Sequence, residues 1–410
     1  MLRRPVLLAV LLTVLLGGCS TGGQSAPIGT DPPTGVPPIP GAPPTPGEPA
    51  IGVEVVAAGL QHVWDIGFLP DGSALVTERP ARIRLLSATK PGAQITEVAA
   101  DLADVYVRGE GGLMGLVVHP DFTQTRRFTT CQTHQQGGEP VDVRLVTWEL
   151  SGDGTRASRV VDPLVGGLPL NPSGRHSGCR PTLGPDGWLY VGTGDSARAA
   201  VAQDRDSLGG KVLRVDLGTG AAAPGNPFIA AGNTAQQLLF TYGNRNVQGI
   251  AVQPGTGQLF AAEHGPGIDD EINILRAGGN YGWDPSRGGT EDSYDEEVPM
   301  TDLRRFPDAV PAVWSSGGET VAVCGIAFLD GAQWGGLQGL LAVATLKGTM
   351  LLLMRVDQAG SVIEVGQLPQ LDGDYGRLRT VRLGPDDALY VSTSNGDDDQ
   401  ILRVAPVGTR

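Results

Sequence analysis

The chain has 410 residues, 61 glycines, 32 prolines and a formal net charge of −14. Charged residues make up only 18% and apolar residues 40%, which excludes a coiled coil or a charged disordered chain and leaves room for a sizeable core. The acidic balance argues against a nucleic-acid partner, which needs basic surface to neutralise phosphates, and makes any cluster of Arg and Lys informative.

The first segment, "MLRRPVLLAVLLTVLLGGCS", places Arg3 and Arg4 before an apolar run and small residues before a cysteine. This is the pattern of an export signal and is excluded from the fold. The run from Pro5 to Leu16 is too short for a membrane span, which needs about 20 residues. "LGGC", Leu16–Cys19, resembles a bacterial lipobox, which implies cleavage before Cys19 and a lipid anchor on its thiol. The stretch to about Ala50 is rich in Pro, Gly, Thr and Ser and reads as an extended tether. The expected division is residues 1–18 as signal peptide, 19–50 as lipidated cysteine and tether, and 51–410 as the folded domain. The protein is expected outside the cytoplasm, held to the cell membrane.

From residue 51 the chain repeats itself. "FLPDGSALVTERPARIRLL" starts at Phe68, "HPDF" at His119, "LGPDGWLYVGTGD" at Leu183, "VQPGTGQLFAAEHG" at Val252 and "LGPDDALYVSTSNG" at Leu383, with a weaker copy, "AFLDGAQWGGLQGLLAVAT", at Ala327. Each copy is a tight turn followed by a short apolar strand and a polar loop. Six copies at roughly 60 residues each, without long helical periodicity, predict an all-β, six-bladed β-propeller of four-stranded antiparallel blades. A pair of β-sandwiches is the alternative, and it explains the repeat count less well.

Propellers bind ligands where blade loops converge, so the polar residues flanking the copies are expected to meet. These are His176, Arg180, Gly194 and Asp195, then Arg245, Asn246 and Gln248 in "YGNRNVQG", then Lys347 in "TLKG", then Arg377 and Arg379 in "GRLRTV". Each basic residue alone reads as a solvated charge. Together they suggest a cradle for a small polyanion, because Arg forks bind carboxylates bidentately.

In order, "WDIGFLPDG…LVTER", "GEGGLMGLVVHPDF", "HSGCR…LGPDGWLYVGTGD", "QDRDSLGGKVLRV", "YGNRNVQG", "EHGP…DDEINIL", "GGNYGW", "LKG" and "GRLRTV" resemble the soluble PQQ-dependent aldose dehydrogenases of the glucose/sorbosone dehydrogenase family, over about residues 52–406. The resemblance implies a sugar substrate oxidised at the anomeric carbon to a lactone, with PQQ, a planar ortho-quinone bearing three carboxylates, as cofactor. It implies His176 as general base, Asp195 as the carboxylate beside it, and Arg245 as the group that polarises the quinone oxygens. Arg245, Asn246, Gln248, Lys347, Arg377 and Arg379 match cofactor contacts. One calcium beside the cofactor would use main-chain oxygens of Gly265 and Pro266, and a second, structural one would use Glu271 and Tyr281. The chain departs from the compared glucose dehydrogenases at Glu110, where they have Gln, and at Arg175, where they have an acid. This pair is expected at the pocket mouth, close enough to interact and to set sugar preference. The electron acceptor is left open. A non-catalytic binding propeller and a calcium-dependent lactonase-type hydrolase are the alternatives.

With Cys19 lipidated, three cysteines remain, an odd number, so at least one is free or pairs between molecules. Cys131 and Cys179 lie near strand starts in neighbouring blades in an oxidising compartment, which predicts a bridge between them, with Cys324 a free buried thiol in "VAVCGIAF". His119 reads as a turn residue and His264 as flanking the calcium loop, while His62 and His134 show no partner pattern. The acidic runs Glu291–Glu297 and Gly396–Gln400 read as solvated loops. No zinc-ligand spacing or nucleotide-binding glycine motif is present.

Overall fold

The computed structural model describes residues 49–288 and 293–408. The signal peptide, Cys19 and nearly all of the tether therefore lie outside the described residues. No helix among those described is long and apolar enough to cross a membrane.

Twenty-four strands form six separate four-stranded sheets. Five blades are consecutive antiparallel meanders, whose innermost strands are Val63–Phe68, Leu113–Val118, Arg180–Leu183, Val247–Val252 and Val323–Phe328. The sixth starts at Leu378–Leu383, continues through Leu389–Thr393 and Asp399–Pro406, and takes its outer strand from the N-terminal segment Ile51–Leu60. Ile51 faces Pro406 and Val55 faces Leu402. This pairing closes the ring, so the last blade has no open edge toward the first.

The repeated turns all occupy one position, the hairpin between the first and second strands of a blade. In blades 3 and 6 the reason for their sequence is visible. Gly184 and Gly384 accommodate the rings of Tyr190 and Tyr390, and a Cβ at either glycine would lie 2.3 Å from the ring. The Tyr190 hydroxyl then donates to Asp186 at 2.9 Å. In blade 2 the hairpin Arg127–Gln136 to Glu139–Leu150 turns on Gly137 and Gly138, both with positive φ, as a two-residue primed turn requires. The inner strands of the blades are mostly buried, for example all of Ala74–Glu78 and Leu340–Thr345, because each blade packs between two others, whereas outer strands such as Ile95–Val98 are largely exposed.

With these hairpins at one end, the inner strands begin at the other, and the sequence-selected polar residues lie there. The channel between the inner strands is closed by charge pairing. Asp65 in blade 1 receives Arg180 of blade 3 at 2.8 Å and Arg382 of blade 6 at 2.7 Å. Arg180 also donates to the Gln248 carbonyl at 2.9 Å and Thr380 Oγ1 at 3.0 Å, and lies over the Trp64 ring at 4.2 Å. One carboxylate thus ties three blades together at the axis. Cys131 and Cys179 form a disulfide between blade 2 and the segment preceding the inner strand of blade 3, with Cα atoms 6.2 Å apart, and Cys324 is a free, buried thiol.

Two loop expectations need correction. In the run Gly396–Gln400, Asp399 is fully buried and accepts from Asn395 N at 2.6 Å, His62 N at 2.7 Å and Thr393 Oγ1 at 2.8 Å. It caps the loops instead of facing solvent. His134 has a partner after all, Asp104 at 3.1 Å, and His119 is buried with Nε2 2.8 Å from Thr129 Oγ1.

Candidate active site

His176 sits in the connection that enters blade 3, with φ +50°. Its Nδ1 is 2.7 Å from Asp195 Oδ1, and Asp195 follows the second strand of the same blade. The two are 4% and 0% exposed. Asp195 has donors on both oxygens: Ala197 N at 2.8 Å joins His176 on Oδ1, while Trp283 Nε1 and the Tyr294 hydroxyl each donate to Oδ2 at 2.8 Å. Burial works against its ionisation, but His176, Arg245 and the Trp283 hydrogen bond together hold it below the usual carboxylate range. An ionised carboxylate only accepts, so the proton between the pair resides on Nδ1 and leaves the His176 Nε2 lone pair free.

Arg245 enters blade 4 and is 4% exposed. Its Nη1 donates to the carbonyls of His264 and Gly265 at 3.0 and 2.9 Å, its Nη2 meets Glu296 Oε1 at 2.6 Å, and its buried Nε has no partner. Asn246, one residue on, donates to Glu110 Oε2 at 3.0 Å. Gln248 receives Arg379 Nη1 at 3.3 Å, with Cys324 Sγ 3.7 Å away. Burial raises the Cys324 thiol, but Arg379 and His264 beside it bring it down to about 7.

Lys347 and Arg377 are exposed, and Arg379 is buried beneath them. No carboxylate among the described residues forms an ion pair with any of the three. Arg377 is held below the usual guanidinium range by burial and by Arg379. Arg79, which sequence reasoning missed, feels burial, Arg379 and Arg377 in the same way. Its guanidinium donates to the Gly109 carbonyl, next to Glu110. Arg79, Arg377 and Arg379 thus gather without an ion pair to a carboxylate among the described residues, in a chain that is strongly acidic.

The expected Glu110–Arg175 pair is not formed. The segments do meet, through Glu110 N and the Gly174 carbonyl at 3.2 Å, but the side chains take other partners. Glu110 goes to Asn246, and the exposed Arg175 goes to Glu296 at 2.8 Å. The reason is the acidic run read as solvated. From Ser293 on it folds back over the site, with Tyr294 on Asp195 and Glu296 on Arg245. A tyrosine inside an acidic run was the one available signal of this.

The metal positions divide. Gly265 lends its carbonyl to Arg245, so a cation there would share that oxygen. Glu271 is buried beside Glu263, and Asn273 Nδ2 reaches both, at 3.1 and 3.4 Å. Burial raises Glu263 to about 7; burial, together with Glu263, raises Glu271 to about 8. Two crowded carboxylates that form no ion pair among the described residues fit a cation. The Tyr281 hydroxyl is already engaged by the Ile274 carbonyl at 2.6 Å and Arg276 N at 2.9 Å, which leaves only its main-chain oxygen as a ligand.

Fold and site define a class: a closed propeller with a buried histidine–carboxylate pair at the same end as a group of basic side chains that form no ion pair with a carboxylate among the described residues. A family model described as glucose/sorbosone dehydrogenase matches residues 60–403, and the chain belongs to that family. It is 31% identical over 366 residues to the aldose sugar dehydrogenase YliI of Escherichia coli, covering 87% of this chain and 93% of that one. It is 30% identical, with a TM-score of 0.69, to the PQQ-bound aldose sugar dehydrogenase of Streptomyces coelicolor, covering 87% of this chain and 99% of that one. Against quinoprotein glucose dehydrogenase B of Acinetobacter calcoaceticus it is 31% identical over 255 residues, 55% of this chain and 50% of that one. The family is one of sugar dehydrogenases, which are oxidoreductases.

Proposed function

We propose that this protein oxidises aldose sugars at the anomeric carbon to lactones, using PQQ. The observation that carries the reading is the buried His176–Asp195 pair at the same propeller end as Lys347, Arg377 and Arg379, which have no ion-pair partner among the described residues. When bound, PQQ supplies the two-electron acceptor that takes hydride from the sugar. His176 Nε2 takes the proton of the anomeric hydroxyl, and Asp195 stabilises the imidazolium that results. Lys347, Arg377 and Arg379 hold carboxylates, and Asn246 and Gln248 add neutral polar contacts. Arg245 offers fixed positive charge where negative charge develops.

Calcium suits this frame at two places, the carbonyls of Gly265 and Pro266 beside the cradle, and the Glu271 carboxylate with the Tyr281 main-chain oxygen. A lactonase-type hydrolase would hold a metal on the axis with carboxylates, but Asp65 there is engaged by two arginines. We further propose that the propeller is exported and tethered to the membrane through lipidated Cys19.

The test is expression from about residue 50, addition of PQQ and calcium, and dye reduction across a sugar panel, with His176→Ala in parallel. The variant is expected to bind PQQ nearly normally and to lose about 10²–10⁴-fold in turnover, the usual contribution of a general base. Full turnover in the variant, or no PQQ binding by the parent, overturns the reading.

A further inference from the structure

Two residues of the folded-back acidic run, Tyr294 and Glu296, reach the two halves of the proposed machinery at once. The Tyr294 hydroxyl donates to Asp195 Oδ2 at 2.8 Å and lies 3.2 Å from His176 Nδ1. Glu296 Oε1 accepts from Arg245 Nη2 at 2.6 Å and from Arg175 Nη2 at 2.8 Å. Asp295 between them turns the other way, to Arg287 at 2.7 Å, and its N–H donates to the Pro285 carbonyl at 2.9 Å. The segment is therefore pinned by charge on both sides.

Asp195 decides which His176 nitrogen carries the proton, so what holds Asp195 matters to the base. Its Oδ2 has two side-chain donors. The Trp283 indole comes from the "GGNYGW" segment, and the Tyr294 hydroxyl comes from the acidic run. Their rings pack edge to face with centroids 6.2 Å apart. Packing against the cluster of Ala202, Trp283, Val298 and Met300 accounts for the Tyr294 ring. It does not account for a hydroxyl that completes the donor set of a buried carboxylate.

We propose that Tyr294 is a positioning residue for the His176–Asp195 pair, and that Glu296, seated on Arg245 and Arg175, is the latch that keeps it there. The proposal rests on the dehydrogenase reading for its kinetic consequence but not for its structural one. The hydroxyl fixes the carboxylate plane so that Oδ1 faces Nδ1 (an ionised acceptor with two donors per oxygen has little freedom to rotate). Latch and hydroxyl are two positions apart, so releasing Glu296 withdraws Tyr294.

Tyr294→Phe and Glu296→Ala test this in the protein with and without PQQ and calcium. In the cofactor-free, nitrogen-15-labelled protein, the Trp283 indole N–H signal, assigned with Trp283→Phe, reports on Asp195. It is expected to shift in Tyr294→Phe and to shift in the same direction in Glu296→Ala, although Glu296 touches neither Trp283 nor Asp195. In the loaded enzyme, Tyr294→Phe is expected to lower kcat about tenfold, a part of the general-base contribution. KM for the sugar and Kd for PQQ should stay within about twofold. An unmoved indole signal in Tyr294→Phe overturns the positioning role, and one unmoved in Glu296→Ala overturns the latch. A rise in KM with unchanged kcat would make Tyr294 a substrate contact and also overturns it. If the parent shows no PQQ-dependent turnover, the functional reading fails, while the indole arm still decides the proposal.

Discussion

Arginines do opposite things in two neighbouring places. On the axis, Arg180 and Arg382 share Asp65, and each guanidinium has its counter-charge within 2.8 Å. Near the entrance to blade 6, Arg377 and Arg379 stand together with Arg79 and have no ion-pair partner among the described residues. Trp64 lies between the two sets, with Arg180 at 4.2 Å and Arg379 at 5.3 Å from its ring. Buried charge that is paired holds blades together. Charge gathered without a partner raises the energy of the empty protein, and an arriving anion relieves it. The presence or absence of a carboxylate partner separates architecture from site.

The largest effect is expected on the axis. Asp65→Asn leaves two guanidiniums without a counter-charge and is expected to lower stability by about 3–5 kcal/mol, read by denaturant unfolding. A loss under about 1 kcal/mol would break the comparison. The pH dependence has a definite sign. Burial opposes ionisation of Asp65, but Arg180 and Arg382 depress its carboxyl below the ordinary value. Its stabilisation is therefore fully present above the ordinary carboxylate range and is lost as pH falls through the depressed native value. Acid unfolding of Asp65→Asn should lack that component.

The cradle should respond the other way. Replacing Arg377 and Arg379 together by Gln is expected to weaken PQQ binding about 10²-fold, because carboxylates lose charge-assisted bonds. Thermal stability should hold or rise slightly, since Arg379 disfavours the charge on Arg377. Unchanged affinity with a fall in melting temperature would move these arginines into the architectural set.

What could be read in advance follows from the range of the interactions. The hairpin turns are local, and Pro-Asp-Gly or a relative of it, with a tyrosine six residues after Gly184 and after Gly384 in two of the copies, marks them in the sequence itself, so six blades were legible. His176 and Asp195 are 19 residues apart within one blade and were also within reach. The Cys131–Cys179 bridge was legible from two cysteines in adjacent blades, although Cys131 lies inside the strand Arg127–Gln136 and not at its start. Asp65 meets Arg382 across 317 residues, and nothing local marks either as paired. Tyr294 and Glu296 were hidden because an acidic run is usually solvated. Their capture depends on Arg245 and Asp195, each supplied by a different blade. Arg175 was assigned to Glu110 because the two segments meet. Their backbones do, but the guanidinium takes the carboxylate that folds over from elsewhere.

That misassignment sets the last and smallest prediction. Glu110 and Arg175 flank the proposed site, Glu110 half-buried against Asn246 and Arg175 exposed against Glu296. Glu110→Gln keeps an oxygen for the Asn246 amide but adds donors where the parent offers only acceptors, which changes the hydroxyl pattern a sugar must match. Arg175→Asp sets two carboxylates facing each other and removes one of the latch's two anchors. Each single variant is expected to change the ratio of kcat/KM between two aldoses several-fold, since exposed or half-exposed polar contacts contribute about 0–1 kcal/mol. Because the two side chains do not share an ion pair, their effects on that ratio should add within about 0.5 kcal/mol in a double-mutant cycle. A coupling well above about 1 kcal/mol would restore the direct Glu110–Arg175 pair. An unchanged order of sugars in both singles and the double would remove these positions from specificity.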